Sequence, residues 1–250
     1  MSLAAIGAVL DRAAGEGVRL DFWWRDDDAV AATPALDRLL SLGREFRTPI
    51  AVAAIPARME PSLPNRLEDE PGARILVHGL SHANHAKPGR KSAEFGSDRP
   101  PPALSADART GLALARERSG NLLLPVFVPP WNRIDQSLAA TLPQLGYAGL
   151  STFGPREPVA GLAVANTHLD PVDWRGSRSA VDPDRLALAL GRAIASPDPG
   201  PIGILTHHLI FDEALWRLTR ALMDLLSRHD AARFPPLEEV WRAPNSVIEL

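Results

Sequence analysis

Short apolar runs alternate with helical patterns along most of the chain, and that alternation admits few architectures. Runs at 18–24, 49–55, 73–77, 122–128, 147–150, 162–169 and 202–205 read as strands. Thr33-Pro34 reads as an N-cap with proline in the first turn, followed by Leu36, Leu39 and Leu40 at helical spacing. Further helices are expected over 138–145, 186–194 and 215–226, and another carries Asp107, Arg109, Arg116 and Glu117 on its wet side. Strands separated by helices in this way build βα units around a mainly parallel sheet. The expected fold is α/β, as one domain over residues 1–250. There is no internal repeat, and the 24 prolines are scattered rather than gathered into a linker. The main irregular stretch, 84–104, holds Lys87-Pro88-Gly89-Arg90-Lys91 and Pro100-Pro101-Pro102. Loops of that length are usually functional, so a substrate-side flap is expected there.

Composition removes several classes of function. A net charge of -3 recommends neither nucleic acid nor an anionic membrane as partner. Cysteine is absent, so a transition metal would have to be held by histidine and carboxylate. The first ten residues lack the basic region of a secretory signal, and no apolar run approaches the ~20 residues of a membrane span. A cytoplasmic protein is expected.

Polar clusters fall at or just past the C-terminal ends of predicted strands, the edge that faces the active site in barrels and open α/β sheets. Arg25-Asp26-Asp27-Asp28 is the first. Three adjacent carboxylates repel unless a cation sits among them or they splay into solvent, and a solvated turn with Asp28 capping a helix is the plainer alternative. Strand alternation points Asp26 and Asp28 one way and Asp27 the other. His78-Gly79-Leu80-Ser81-His82 has the i, i+4 spacing that gathers two imidazoles on one cation if the segment is a helical turn. His85 follows as a surface residue or one that supports the ligands. In Pro129-Pro130-Trp131-Asn132-Arg133 the paired prolines fix the backbone, which suits the Trp131 N–H to an oxyanion-donor role or simply makes a rigid strand exit. His168, Asp170, Asp173 and Trp174 form another cluster, and His207-His208 the last. Of that tandem only one imidazole should belong to the site.

Taken together, the clusters resemble the polysaccharide deacetylase family, whose domain is named for nodulation-factor deacetylases. The matching motifs run from Asp26 to His208. The resemblance implies a distorted (β/α) barrel with mainly parallel strands. It implies Asp26 as catalytic base and Asp27, His78 and His82 as ligands of one divalent ion. It also implies Asp173 supporting the base, Trp174 lining the pocket with Pro130 and His208, and His207 as general acid. The family's arginine before the proline pair is Val128 here, which leaves Arg25 and Arg133 as candidates, and Arg133 is taken. His208 stands where the family has aspartate, and Asp28 where it commonly has glycine.

The implied activity is metal-dependent hydrolysis of acyl groups from an N- or O-acylated sugar. Zn2+ suits the ligands best, with Co2+, Ni2+ or other divalent ions also accepted. The alternatives are hydrolysis of non-peptide C–N bonds in a small amide, or a non-catalytic carbohydrate-binding module on the same fold.

Overall fold

The computed structural model describes residues 2–242. Its strands are β1 (Leu20–Ala29), β2 (Ile50–Ala54), β3 (Ala73–His78), β4 (Leu123–Val128), β5 (Gly149–Leu150), β6 (Ala163–Val164), β7 (Thr167–Leu169), β8 (Ile202–Thr206) and β9 (Ala232–Arg233). Its helices are α1 (Ala4–Gly15), α2 (Pro34–Phe46), α3 (Ser62–Glu68), α4 (Pro101–Ser119), α5 (Gln136–Leu145), α6 (Pro183–Ile194), α7 (Glu213–Arg228) and α8 (Leu237–Val240). Thr33 caps α2 as expected, its hydroxyl accepting from the Leu36 N–H at 3.0 Å. The short α3 and β9 were not anticipated, and β1 runs on through all three aspartates.

Strand order is β6-β5-β4-β3-β2-β1-β8-β7, with β9 added on β1, and the ladders are parallel. The edges β6 and β7 are drawn together by the preceding loop. Thr167 N–H donates to the Thr152 carbonyl at 3.0 Å, and Gly154 N–H donates to the Thr167 carbonyl at 2.8 Å. The sheet therefore curls into the expected distorted (β/α) barrel. The apolar run 162–169 breaks into two strands because buried Asn166 lies in it. Its amide serves the Thr152 N–H and the Gly154 and Pro155 carbonyls, satisfying the loop's own backbone.

Alternation along the strands sorts side chains into two layers. Phe22, Trp24, Val52, Ile75 and Ile204 pack outward under the helices. Trp23, Ala51, Ala53, Leu76, Val126 and Val128 fill the interior with Trp241, which meets Trp23 edge-to-face at 4.7 Å. The small Ala51 and Ala53 leave room for Trp23, and the plugged interior leaves the C-terminal mouth as the place for a site. Among the described residues no helix is long and apolar enough to cross a membrane.

Candidate active site at the strand C-termini

A cleft of about 700 Å³ opens at that mouth, lined by Asp27, Asp28, His78, His82, Trp131, Arg133, Asp170, Trp174 and His207 among others. Asp26 faces Val52 on β2 and Ala29 faces Ala54, so three residue steps on β1 oppose two on β2. The extra residue is a bulge, and Asp28 adopts φ +73 there. Simple alternation would send Asp28 the way of Asp26. The bulge instead turns Asp28 to the cleft beside Asp27, while Asp26 stays fully buried outside it.

The structure brings Asp28, rather than Asp27, together with the two histidines. Asp28 Oδ1 lies 3.1 Å from His78 Nε2 and 3.2 Å from His82 Nε2, and one donor atom from each residue falls within 4.8 Å of the others. His78 Nδ1 faces the Val128 carbonyl at 3.0 Å. A carbonyl only accepts, so Nδ1 carries a proton, and Nε2 is left to face Asp28, donating to it when the ring is charged and free to bind a metal when the ring is neutral. Two imidazole Nε2 atoms thus meet one carboxylate oxygen, and with both rings neutral the three form a set that a cation can occupy. A tetrahedral ion with bonds of about 2.0–2.1 Å spaces its ligands about 3.3 Å apart, close to the two carboxylate–imidazole distances here. Burial works against the charge on Asp28, yet the His78 hydrogen bond and the fields of His78, His207 and His82 hold its carboxyl far below the usual range.

The two histidines do not share a helical turn. His78 ends β3, and His82 belongs to a loop, with Gly79 at φ +61 and His82 at φ +59. The loop is shaped by Glu94, a fully buried residue from the segment expected to be a flap. Its carboxylate accepts from the N–H groups of Leu80 (3.2 Å), Ser81 (2.8 Å) and Ala83 (3.4 Å) and from the Ser81 hydroxyl (2.9 Å). A Cβ on Gly79 would meet Glu94 Oε2 at 2.2 Å, so only glycine fits there. Residues 93–95 are buried, and Phe95 packs edge-to-face on Phe127 at 5.0 Å. The segment thus braces the histidine loop from behind. His85 is exposed, as expected.

Asp27 points into the interior and is taken by Arg25, two residues earlier on the same face of β1. Arg25 Nε lies 2.8 Å from Asp27 Oδ1, and Nη2 donates to Oδ2 at 3.0 Å. The guanidinium also donates to Ser151 Oγ at 2.7 Å, the Ser151 carbonyl at 3.2 Å and Asn132 Oδ1 at 2.7 Å. Arg25, rather than Arg133, therefore holds the cleft carboxylate. Arg133 lines the cleft and donates to the Ser92 carbonyl at 2.5 Å.

On the opposite wall, His207 stacks edge-on against Trp174 at 4.9 Å between ring centroids. The Trp174 indole N–H donates to Asp170 at 2.7 Å, as does the Val172 N–H at 2.9 Å. Burial pushes the Asp170 carboxyl above its ordinary value, against the pull of His207 and these donors. Asp170, not Asp173, is the carboxylate of this wall. Asp173 pairs with Arg185 at 3.1 Å instead. His208 is buried against Asp26 rather than open to the pocket, and Pro130 is buried beneath Trp131. Trp131 packs on His82 at 4.2 Å. Six described non-glycine residues have positive φ, and Asp28, His82, Trp131 and Asn132 are four of them. Strain of about 1–3 kcal/mol per residue is thus concentrated around the cleft.

His168 also lines the cleft, and its Nδ1 accepts from the Gly203 N–H at 3.2 Å. Burial, with Arg156 nearby, lowers it to about 4. An unfolded histidine titrates near ~6.5, so the unfolded chain takes up this proton first. The stabilisation is full above that pH and is lost as pH falls toward the folded value. His168→Asn keeps an acceptor for Gly203 and removes the titration. Wild type should lose more urea resistance than the variant between pH 7 and 4.5, whereas parallel curves would exclude this linkage.

The curled parallel barrel is a fold shared with solved polysaccharide deacetylases and family 4 carbohydrate esterases. Among solved structures, the chain is similar to a family 4 carbohydrate esterase from Streptomyces lividans in complex with acetate, at 13% identity and TM-score 0.57 over 90% of this chain and 98% of that one. A peptidoglycan deacetylase from Bacillus subtilis matches at 15% identity and TM-score 0.55, covering 89% and 90%. A family 4 acetyl xylan esterase from Clostridium thermocellum in complex with a cobalt ion matches at 16% identity and TM-score 0.51, covering 88% and 89%. No family model and no curated protein matches the sequence.

Proposed function

We propose that this chain is a metal-dependent hydrolase that removes acetyl or similar acyl groups from an acylated sugar. The observation that carries the proposal is the approach of Asp28 Oδ1 to within 3.1 and 3.2 Å of the His78 and His82 Nε2 atoms, with Asp27 beside it in one cleft. Asp28, His78 and His82 would hold a divalent ion, for which zinc is best suited and cobalt or nickel acceptable, and it would supply Lewis acidity toward the acyl carbonyl and lower the pKa of water.

Asp27 then takes the proton of the attacking water. Arg25 holds its carboxylate in place, with Nε 2.8 Å from Oδ1 and Nη2 donating to Oδ2 at 3.0 Å. His207 returns a proton to the leaving amine or alkoxide, and Trp174 and Asp170 define where its ring stands. The Trp131 N–H is the candidate oxyanion donor, in a backbone set by Pro129 and Pro130. Solved structures of similar fold include an acetyl xylan esterase and a peptidoglycan deacetylase, which supports an acetylated carbohydrate as substrate class.

Acetate release from acetylated xylo-oligosaccharides and from N-acetylglucosamine oligomers tests the proposal. We expect release that is abolished by a chelator and restored by one equivalent of zinc or cobalt. Ring opening of small cyclic amides, or amine release from small linear ones, without acetate would redirect the chemistry to C–N bonds. Neither product from metal-loaded protein would contradict hydrolysis and favour a carbohydrate-binding module.

A further inference from the structure

Asp26 and His208 are both fully buried, pair with one another and stand outside the cleft. A buried ion pair is seldom a net source of stability, because desolvation offsets its attraction, and its best-attested use is to specify one arrangement. Its surroundings indicate which arrangement. Asp26 lies opposite Thr206 across the β1–β8 ladder. Asp26 Oδ2 accepts from the Thr206 hydroxyl at 2.6 Å and from the His208 N–H at 3.0 Å, and Oδ1 faces His208 Nδ1. The Thr206 hydroxyl in turn accepts from the Trp24 indole N–H at 2.9 Å. One carboxylate therefore grips the residues on both sides of His207, just where β8 ends and the chain turns into the 3-10 segment His208–Ile210.

We propose that Asp26 and His208 are positioning residues that hold His207 in the cleft. In an extended chain, neighbours of residues fixed toward one face project to the other. With Thr206 and His208 tied to Asp26 on the helix side, His207 is left no rotation except toward the cleft, where it meets Trp174. The inference rests on the hydrolase reading only in giving His207 a proton to transfer. The geometry it claims is independent of that reading.

The test compares His208→Asn with His208→Gln and adds Asp26→Asn. Asparagine carries its amide nitrogen at the δ position that Nδ1 occupies, whereas glutamine carries it one atom further out. We expect His208→Asn to keep kcat within about threefold, and His208→Gln and Asp26→Asn to lose about tenfold or more of kcat with KM nearly unchanged. Measured well below each melting temperature, a merely structural role would affect the two His208 variants alike. A crystal structure of Asp26→Asn gives a reading independent of turnover. His207 swung away from Trp174 would support positioning even if no substrate were turned over, which would count against the hydrolase reading alone. His207 unmoved against Trp174, or equal losses in His208→Asn and His208→Gln, would overturn it.

Discussion

Asp28→Ala should strip the protein of its divalent ion, whereas Asp27→Asn should keep the ion and lose the rate. The difference follows from what each carboxylate faces. Asp28 Oδ1 lies within 3.1 and 3.2 Å of the His78 and His82 Nε2 atoms, so its removal takes away one of the three proposed ligands and leaves an open site. Arg25 lies against both oxygens of Asp27, with Nε 2.8 Å from Oδ1 and Nη2 donating to Oδ2, which is why the proposal makes Asp27 the base and Asp28 the ligand. We expect bound metal in Asp28→Ala to fall from one equivalent to background after dialysis, with acetate release lost. For Asp27→Asn we expect full metal content and kcat lower by about 10²–10⁴, the usual worth of a positioned general base. Metal analysis beside acetate release checks both. The reverse pattern would return the ligand role to Asp27.

Arg25→Leu should be among the most destabilising substitutions in the chain. Arg25 is fully buried and donates to Asp27, Ser151 and Asn132 at once. Its loss leaves Asp27 an uncompensated buried charge, a change that costs about 3–5 kcal/mol. For a protein of this size that lowers Tm by on the order of 10 °C. Arg25→Lys should recover little, because an ammonium cannot reproduce the planar fork that reaches two carboxylate oxygens and the barrel wall together. Thermal melts of the two variants decide the matter, and a Tm near that of wild type in either would show that Arg25 does not hold Asp27.

The barrel could be read from the chain because its apolar runs and helical spacings are strong local signals, and from β2 to β4 the predicted strands lie within a residue or two of the observed ones. The two histidines of the cleft were also legible, each marking a strand end or the loop after it. What the local pattern did not reveal is which of Asp26, Asp27 and Asp28 stands beside the two histidines. Three consecutive aspartates allow two ways of matching a pair, and the choice depends on a bulge that no local pattern announces. One available signal pointed the right way. Arg25 and Asp27 are two apart in an extended segment and so share a face, which marks Asp27 as the residue held by the arginine. Glu94 gave no such hint. It lies among prolines, lysines and glycines that read as a substrate-side flap, and its importance comes from backbone N–H groups at 80–83 that only the fold brings to it. Asp170 was passed over for Asp173 because the Asp-Trp dipeptide drew the match, whereas the Trp174 indole reaches back four residues to Asp170.

Anomalous diffraction at the zinc edge, from crystals grown with that ion, tests the central claim most directly. A single peak bonded to Asp28 Oδ, His78 Nε2 and His82 Nε2, with Asp27 outside the shell and still held by Arg25, is the predicted result. A peak ligated by Asp27, or no peak between the imidazoles, would contradict it.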